Sequence, residues 1–221
     1  MKLLFEAAAK MLCGVIMLGA ALFLPAGTLD FPGAWLFLGL LFVPMLALGA
    51  VMYANAPELL AKRLNGKEKE KTQRGVVAAS GLIFIGVFVL AGLDRRFGWS
   101  HMPPYLICVG SILQLAGYGL YMEVMRENAY LSRTIEVQAG QKVIDTGLYG
   151  IVRHPMYAAT VLMFLAMPVV LGSWAALGVM AAYPLIIAVR IINEEKVLEA
   201  GLDGYIDYKK RVRYRLIPYI W

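Results

Sequence analysis

Two short stretches hold most of the side chains in this sequence that could do chemistry. The first reads Gly147-Leu-Tyr-Gly-Ile-Val-Arg-His-Pro-Met-Tyr157. Its glycines mark a turn. Pro155 keeps His154 extended and suits the first position of a helix. Arg153 and His154 thus sit where an irregular segment becomes helical, beside free N–H groups and a partial positive charge. Such a place can hold a carboxylate or phosphate. It can equally mark a lipid headgroup boundary, and the residues alone leave both readings open. The second stretch is Arg190-Ile-Ile-Asn-Glu-Glu195. On a helix Arg190, Asn193 and Glu194 share a face, while Glu195 lies about a quarter-turn further on. An Arg190–Glu194 ion pair at a helix exit is one reading, and a polar cavity is the other. Further along, Tyr205 and Tyr208 stand three apart on a helix predicted over about 193–213, where they could close a pocket. The basic run from Lys209 to Arg215 also suits an amphipathic helix on anionic lipid.

The elements that must position these residues are membrane spans. Of the 221 residues, 60% are apolar and only 16% charged, against about 25% charge in a soluble domain. The mean hydropathy is +0.67. Charge-free runs at 11–29, 33–54, 75–93 and 102–122 meet the length of about 20 residues that a spanning helix needs. Two shorter runs, 156–171 and 174–189, are separated only by Gly172 and Ser173 and read as a tight helical hairpin. The fold class expected is an all-α integral membrane protein of about six transmembrane helices. Residues 1–122 form a four-span scaffold, and 123–221 add a loop, the hairpin and a tail helix.

With the N-terminus inside, 19 of the 21 Lys and Arg residues fall on the inner side, and only Arg95 and Arg96 fall outside. The positive-inside rule then predicts that both termini and the polar motifs face the cytoplasm. This accounts for the net charge of +6 without nucleic acid, for which no binding module is visible. The hairpin also brings 153–157 and 190–195 to one depth, so that Arg, His, Tyr and carboxylates meet at a membrane edge. Cys13 and Cys108 lie in apolar runs and suggest neither a disulfide nor a metal site. Phosphate-loop, dinucleotide and paired-histidine zinc motifs are missing.

Over about residues 123–218 the sequence resembles the isoprenylcysteine carboxyl methyltransferase family and its phospholipid methyltransferase relatives. The resemblance rests on Asn128-Ala-Tyr130, Gln141-Lys-Val-Ile-Asp-Thr-Gly147, Tyr149, Arg153-His-Pro-Met-Tyr157, Glu194-Glu195, Tyr205-x-x-Tyr208 and Arg211-Val-Arg213. It implies S-adenosylmethionine as cofactor, with S-adenosylhomocysteine as product, held by the hairpin and tail and not by a Rossmann sheet. It implies that Tyr149, Arg153, His154, Tyr157 and Glu194 line the cofactor pocket, helped by backbone near Val143 and Gly147 and by Tyr205 and Tyr208. It implies that Arg190 and Glu195 face the reacting groups. The expected acceptor is a lipid or a lipidated small molecule or peptide taken from the membrane, with carboxyl O-methylation first and phospholipid amine N-methylation second. A nicotinamide-dependent sterol-type reductase and a non-enzymatic membrane protein are the other classes considered. Inverted repeats and mid-span charges, which would favour a transporter, are not visible.

Overall fold

A computed structural model describes residues 2–64, 71–131 and 137–221. Lys67, Lys69 and Arg133, which enter the charge count, lie outside the described residues. The described residues form helices joined by turns, with no strand among them. In chain order these are α1 (Lys2–Ala26), α2 (Pro32–Asn55), α3 (Pro57–Leu64), α4 (Lys71–Phe97), α5 (Pro104–Glu127), α6 (Pro155–Val170), α7 (Trp174–Met180), α8 (Tyr183–Gly201) and α9 (Tyr205–Arg211). A 3₁₀ turn, Gly147–Gly150, precedes α6.

The first four spans appear where the apolar runs predict them. α1 runs further at its start, where Lys10 pairs with Glu6 at 2.6 Å. Among the described residues, five segments are long and apolar enough to cross a membrane: α1, α2, 75–97, α5 and the α7–α8 stretch 174–201. The chain is thus a multi-pass integral membrane protein. The expected count of six meets one exception. α6 has 16 residues, about 24 Å at 1.5 Å per residue, short of a hydrocarbon core of about 30 Å. It is also among the more buried helices, with Tyr157, Ala159, Met163, Ala166, Met167 and Val170 in the core. A helix sheltered by its neighbours does not need the length that direct lipid contact demands.

The hairpin forms as read. Ser173 caps α7, its hydroxyl accepting from Ala176 N at 3.1 Å. Buried Asp94 accepts from the Ser173 hydroxyl and from Ser100 N and Oγ at 2.7 and 2.6 Å, so α4 is tied to the hairpin tip. Two other expectations need correction. The run 174–189 is not one straight helix. It breaks at Ala181–Ala182, where Pro184 has no N–H to offer the preceding turn, and α8 then continues to Gly201. The tail helix predicted over 193–213 is also broken. Gly204 adopts φ 80°, a left-handed conformation that glycine takes without penalty, and α9 departs in a new direction.

α6 is seated against α5 through small residues. A Cβ at Gly117 would come within 2.9 Å of Met163 Cβ, and one at Gly110 within 2.9 Å of a Val169 methyl. The backbones approach as they do at small-residue contacts between membrane helices. One apolar cluster, with Leu22, Phe37, Val87, Met180, Tyr183 and Ile191 among its members, joins the helices. It fixes the start of α6 beside the end of α8.

Candidate active site

The start of α6 is held by the tail. After α9 the chain runs extended, and four successive carbonyls face Arg153 and His154. Arg153 Nη1 donates to Val212 O at 2.8 Å and Arg213 O at 2.7 Å. The backbone N–H groups of Arg153 and His154 donate to Tyr214 O and Arg215 O, each at 2.9 Å. The helix start thus directs these two N–H groups at its own chain. The anion-binding reading of this helix end is corrected to that extent.

Behind this strap lies a buried charge cluster. Glu195, 3% exposed, accepts from Arg153 Nε at 2.7 Å and Arg215 Nε at 3.0 Å. His154 Nε2 is 3.4 Å from the same carboxylate and Lys209 Nζ 3.7 Å away. A carboxylate removed from water needs this kind of compensation.

A second cluster faces the other way. Tyr157 donates its hydroxyl to Glu194 Oε2 at 2.5 Å and accepts from Arg190 Nε at 2.8 Å. The Arg190 guanidinium lies 5.9 Å from the Tyr157 ring centre. A phenol from α6 thus bridges the cation and carboxylate that α8 presents one turn apart.

The 3₁₀ turn supplies the third wall. Leu148 N donates to the Glu127 carboxylate at 3.0 Å. Gly147, at φ 53°, leaves no room for a side chain, since a Cβ there would overlap Glu127 Oε1. Tyr149 is then pinned at both ends: its carbonyl accepts from Tyr208 Oη at 2.7 Å, and its hydroxyl accepts from Asn128 Nδ2 at 2.9 Å.

These walls enclose a cavity of ≈ 100 Å³. Val143 and Tyr149 line it from the loop, Arg153, His154 and Tyr157 from the start of α6, Arg190 and Glu194 from α8, and Tyr205 and Tyr208 from α9. Two residues singled out in the sequence are not on its wall. Gly147 serves the turn behind Tyr149, and Glu195 points into the buried cluster. Asn128, Tyr130, Lys142, Met156 and Leu198 also line the cavity. The first four belong to the motifs that carry the resemblance but received no site role from the sequence, and Leu198 was passed over. Leu198 was within reach, because Arg190, Glu194 and Leu198 are four apart and continue one face. Asn128 and Tyr130 follow the end of α5, where only the family motif, and no charge or helical spacing, marks them.

Burial raises the Tyr205 phenol well above its ordinary value, and the Glu195 and Glu194 charges add to that. Burial does the same for Tyr208. Both remain neutral donors at physiological pH. The Tyr205 hydroxyl is buried and has no hydrogen-bond partner among the described residues, so it is a donor free to meet a ligand.

A sulfonium-bearing amino acid nucleoside suits this wall chemically. Lys142 offers a cation for its carboxylate, Glu194 a carboxylate for its positive groups, and the tyrosines aromatic faces for sulfonium or adenine. The cavity is smaller than the ~300–1,000 Å³ usual for ligand sites.

Comparison with known proteins bears on the same segment. Residues 105–202 match the phospholipid methyltransferase family model. The match supports the kinship read from the sequence and covers every spanning segment that reaches the cavity. The fold is similar to that of the eukaryotic intramembrane Ras methyltransferase, an isoprenylcysteine carboxyl methyltransferase. The TM-score is 0.53 over 92% of this chain and 74% of that one. At 19% identity this likeness concerns the fold. A curated relative, the Delta(14)-sterol reductase of Mus musculus, is 31% identical over 91 residues. These are 40% of this chain, and the chain spans about a fifth of that relative, 22% of its length.

Proposed function

We propose that this protein is an integral membrane methyltransferase that uses S-adenosylmethionine and acts at the cytoplasmic face on a lipid-like acceptor. The observation that carries the reading is the convergence of Tyr157, Arg190 and Glu194, inside the segment matching phospholipid methyltransferases, with Tyr205 and Tyr208 just beyond it on one cavity. When bound, S-adenosylmethionine supplies an electrophilic methyl group. The protein's own residues position and desolvate the partners, which is most of what an in-line displacement asks of an enzyme. In this reading Glu194 and the tyrosine faces hold the cofactor's positive groups, while Arg190 orients the acceptor. Glu195 acts through Arg153 and His154 as a positioning residue.

The acceptor proposed is the carboxylate of an isoprenylcysteine or a similar lipid. A carboxylate needs orientation by a cation and no base, and Arg190 on the cavity wall fits that need. An amine acceptor must lose a proton. Glu195 is engaged by Arg153 and Arg215, which leaves Glu194 to take it. Phospholipid amine methylation is kept as the second choice because of the family match.

The local identity with the sterol reductase motivates one rival, a nicotinamide-dependent enzyme. Calorimetry of the purified protein in lipid nanodiscs with S-adenosylmethionine and with reduced nicotinamide dinucleotide phosphate separates the two. Heat with the first alone is expected, and heat with the second alone overturns the proposal. Mass spectrometry of lipid and lipoprotein extracts from cells with and without the protein then identifies the acceptor by the gain of one methyl.

A further inference from the structure

The last residues of the described chain fold into a hook whose two sides differ in character. Trp221 O accepts from the backbone N–H groups of Arg215, Leu216 and Ile217 at 2.9, 2.9 and 3.1 Å, and Trp221 N donates back to Ile217 O at 3.1 Å. The Arg215 guanidinium lies 5.3 Å from the Trp221 ring centre. On the inner side, buried Leu216 and partly buried Trp221 pack against the apolar cluster that contains Tyr183, Ile187 and Ile191 of α8. The hook is therefore seated on the transmembrane core and not out in solvent.

Its outer side consists of consecutive apolar residues. Ile217 is 46% exposed, Tyr219 88% and Ile220 76%, and Pro218 between them is also exposed. Tyr219 holds φ 65°, a conformation that non-glycine residues avoid unless the surroundings dictate it. Its ring lies tilted at 52° against that of Tyr214, with centroids 5.2 Å apart. Lys210, Arg211 and Arg213 precede the hook and are exposed, the first two paired with Asp207 and Asp145 at 2.8 and 2.7 Å. A short apolar surface with aromatic residues and a basic border is what the boundary between headgroups and acyl chains accepts.

We infer that the hook 216–221 is an interfacial anchor, its Ile217, Tyr219 and Ile220 face inserted at the headgroup–acyl boundary of an anionic phospholipid bilayer. Two features of the hook select lipid as the occupant. The hook is continuous with the membrane-embedded cluster through Leu216 and Trp221, and its border complements anionic headgroups. The anchor bears on the site because the hook follows directly on the strap that holds Arg153 and His154. The inference itself stands on the membrane location and not on methyl transfer.

The test is the depth of a spin label. Cys13 and Cys108 are replaced by Ala, and Ile220→Cys is labelled in nanodiscs of phosphatidylcholine and phosphatidylglycerol. Asp203→Cys, on the exposed α8–α9 turn, serves as the aqueous reference. Leu185→Cys, exposed on a spanning segment, serves as the lipid reference. The ratio of oxygen to nickel-chelate accessibility at 220 is expected to exceed that at 203 several-fold and to approach that at 185. A ratio equal to that at 203 means that the hook faces water and overturns the inference. Low access to both reagents means cover by protein, such as a second copy, and overturns it equally. Tyr219→Cys repeats the measurement should the label at 220 disturb the hook.

Discussion

At the scale of single residues, Arg153 and Arg190 call for different experiments although both line the cavity. The Arg153 guanidinium is engaged by Glu195 and two carbonyls, so Arg153→Ala removes the most buried cation beside a buried carboxylate and leaves Arg215 as its main partner. Breaking a buried pair in this way costs about 3–5 kcal/mol. Arg153→Ala is therefore expected to lower the thermal midpoint in detergent sharply, which makes it a poor probe of cofactor affinity. Arg190→Ala should instead reduce turnover strongly with little change in S-adenosylmethionine affinity, the pattern of a group that acts mainly in the transition state. Arg190→Lys should rescue only in part, because lysine lacks the planar fork that aligns a carboxylate. Steady-state kinetics beside calorimetry on the same preparations would tell the cases apart, and unchanged turnover in Arg190→Ala would remove this residue from the mechanism. Tyr205→Phe is the complementary case. Its hydroxyl has no partner among the described residues, so its loss should leave the thermal midpoint unchanged or slightly raised. The same change should weaken cofactor binding by about 2- to 10-fold, the worth of one hydrogen bond of about 0.5–1.5 kcal/mol. Equal affinity for the two proteins would show that the hydroxyl does not touch the cofactor.

At the scale of elements, the α5–α6 contact and the short helix α9 set the cavity's shape. Gly117→Val forces the α5 backbone away from Met163 and is expected to cost about 1–3 kcal/mol, read as a drop in thermal midpoint together with lost cofactor binding. α9 carries a pH signature. Burial holds the Tyr205 and Tyr208 phenols above the ordinary value near 10. Above that pH the unfolded chain releases phenolic protons that the folded chain retains. Stability from these residues is then full below about pH 10 and falls as pH rises beyond it. Alkaline titration of tyrosine absorbance should leave at least two phenols unionised until unfolding, and a complete titration of the folded protein would contradict this. Element boundaries were only partly legible in the sequence. Apolar runs marked the spans, and Gly172-Ser173 marked the hairpin. Pro184 and Gly204 were visible as breakers, but the surrounding helix-forming residues outweighed them. The strap could not be read at all. Its acceptors are main-chain carbonyls, which every residue carries and no residue type advertises. Glu195 was misdirected for a related reason, because its partners Arg153 and Arg215 come from distant parts of the chain.

At the scale of the whole molecule, orientation is still a prediction of the charge count. A cysteine at Ala61, exposed on α3, should react with an impermeant maleimide only after cells are opened. One at Trp99, exposed between α4 and α5, should react in intact cells. The reverse pattern would invert the topology and move the site to the other face. The all-helical, multi-span plan was legible because hydrophobicity is summed over long stretches and does not depend on fine packing. The strap has a further consequence for how the protein is made. Arg153 and His154 enter the membrane edge with the hairpin, whereas the carbonyls that satisfy them are still some sixty residues behind in synthesis. Ribosomes add about 5–20 residues per second, so the start of α6 waits for seconds with its two N–H groups unmet by protein, and its arginine has Glu195 before it has the strap. The cavity is consequently a late product of biogenesis. A nascent chain stalled before residue 212 would hold all its spans and be unable to assemble the site.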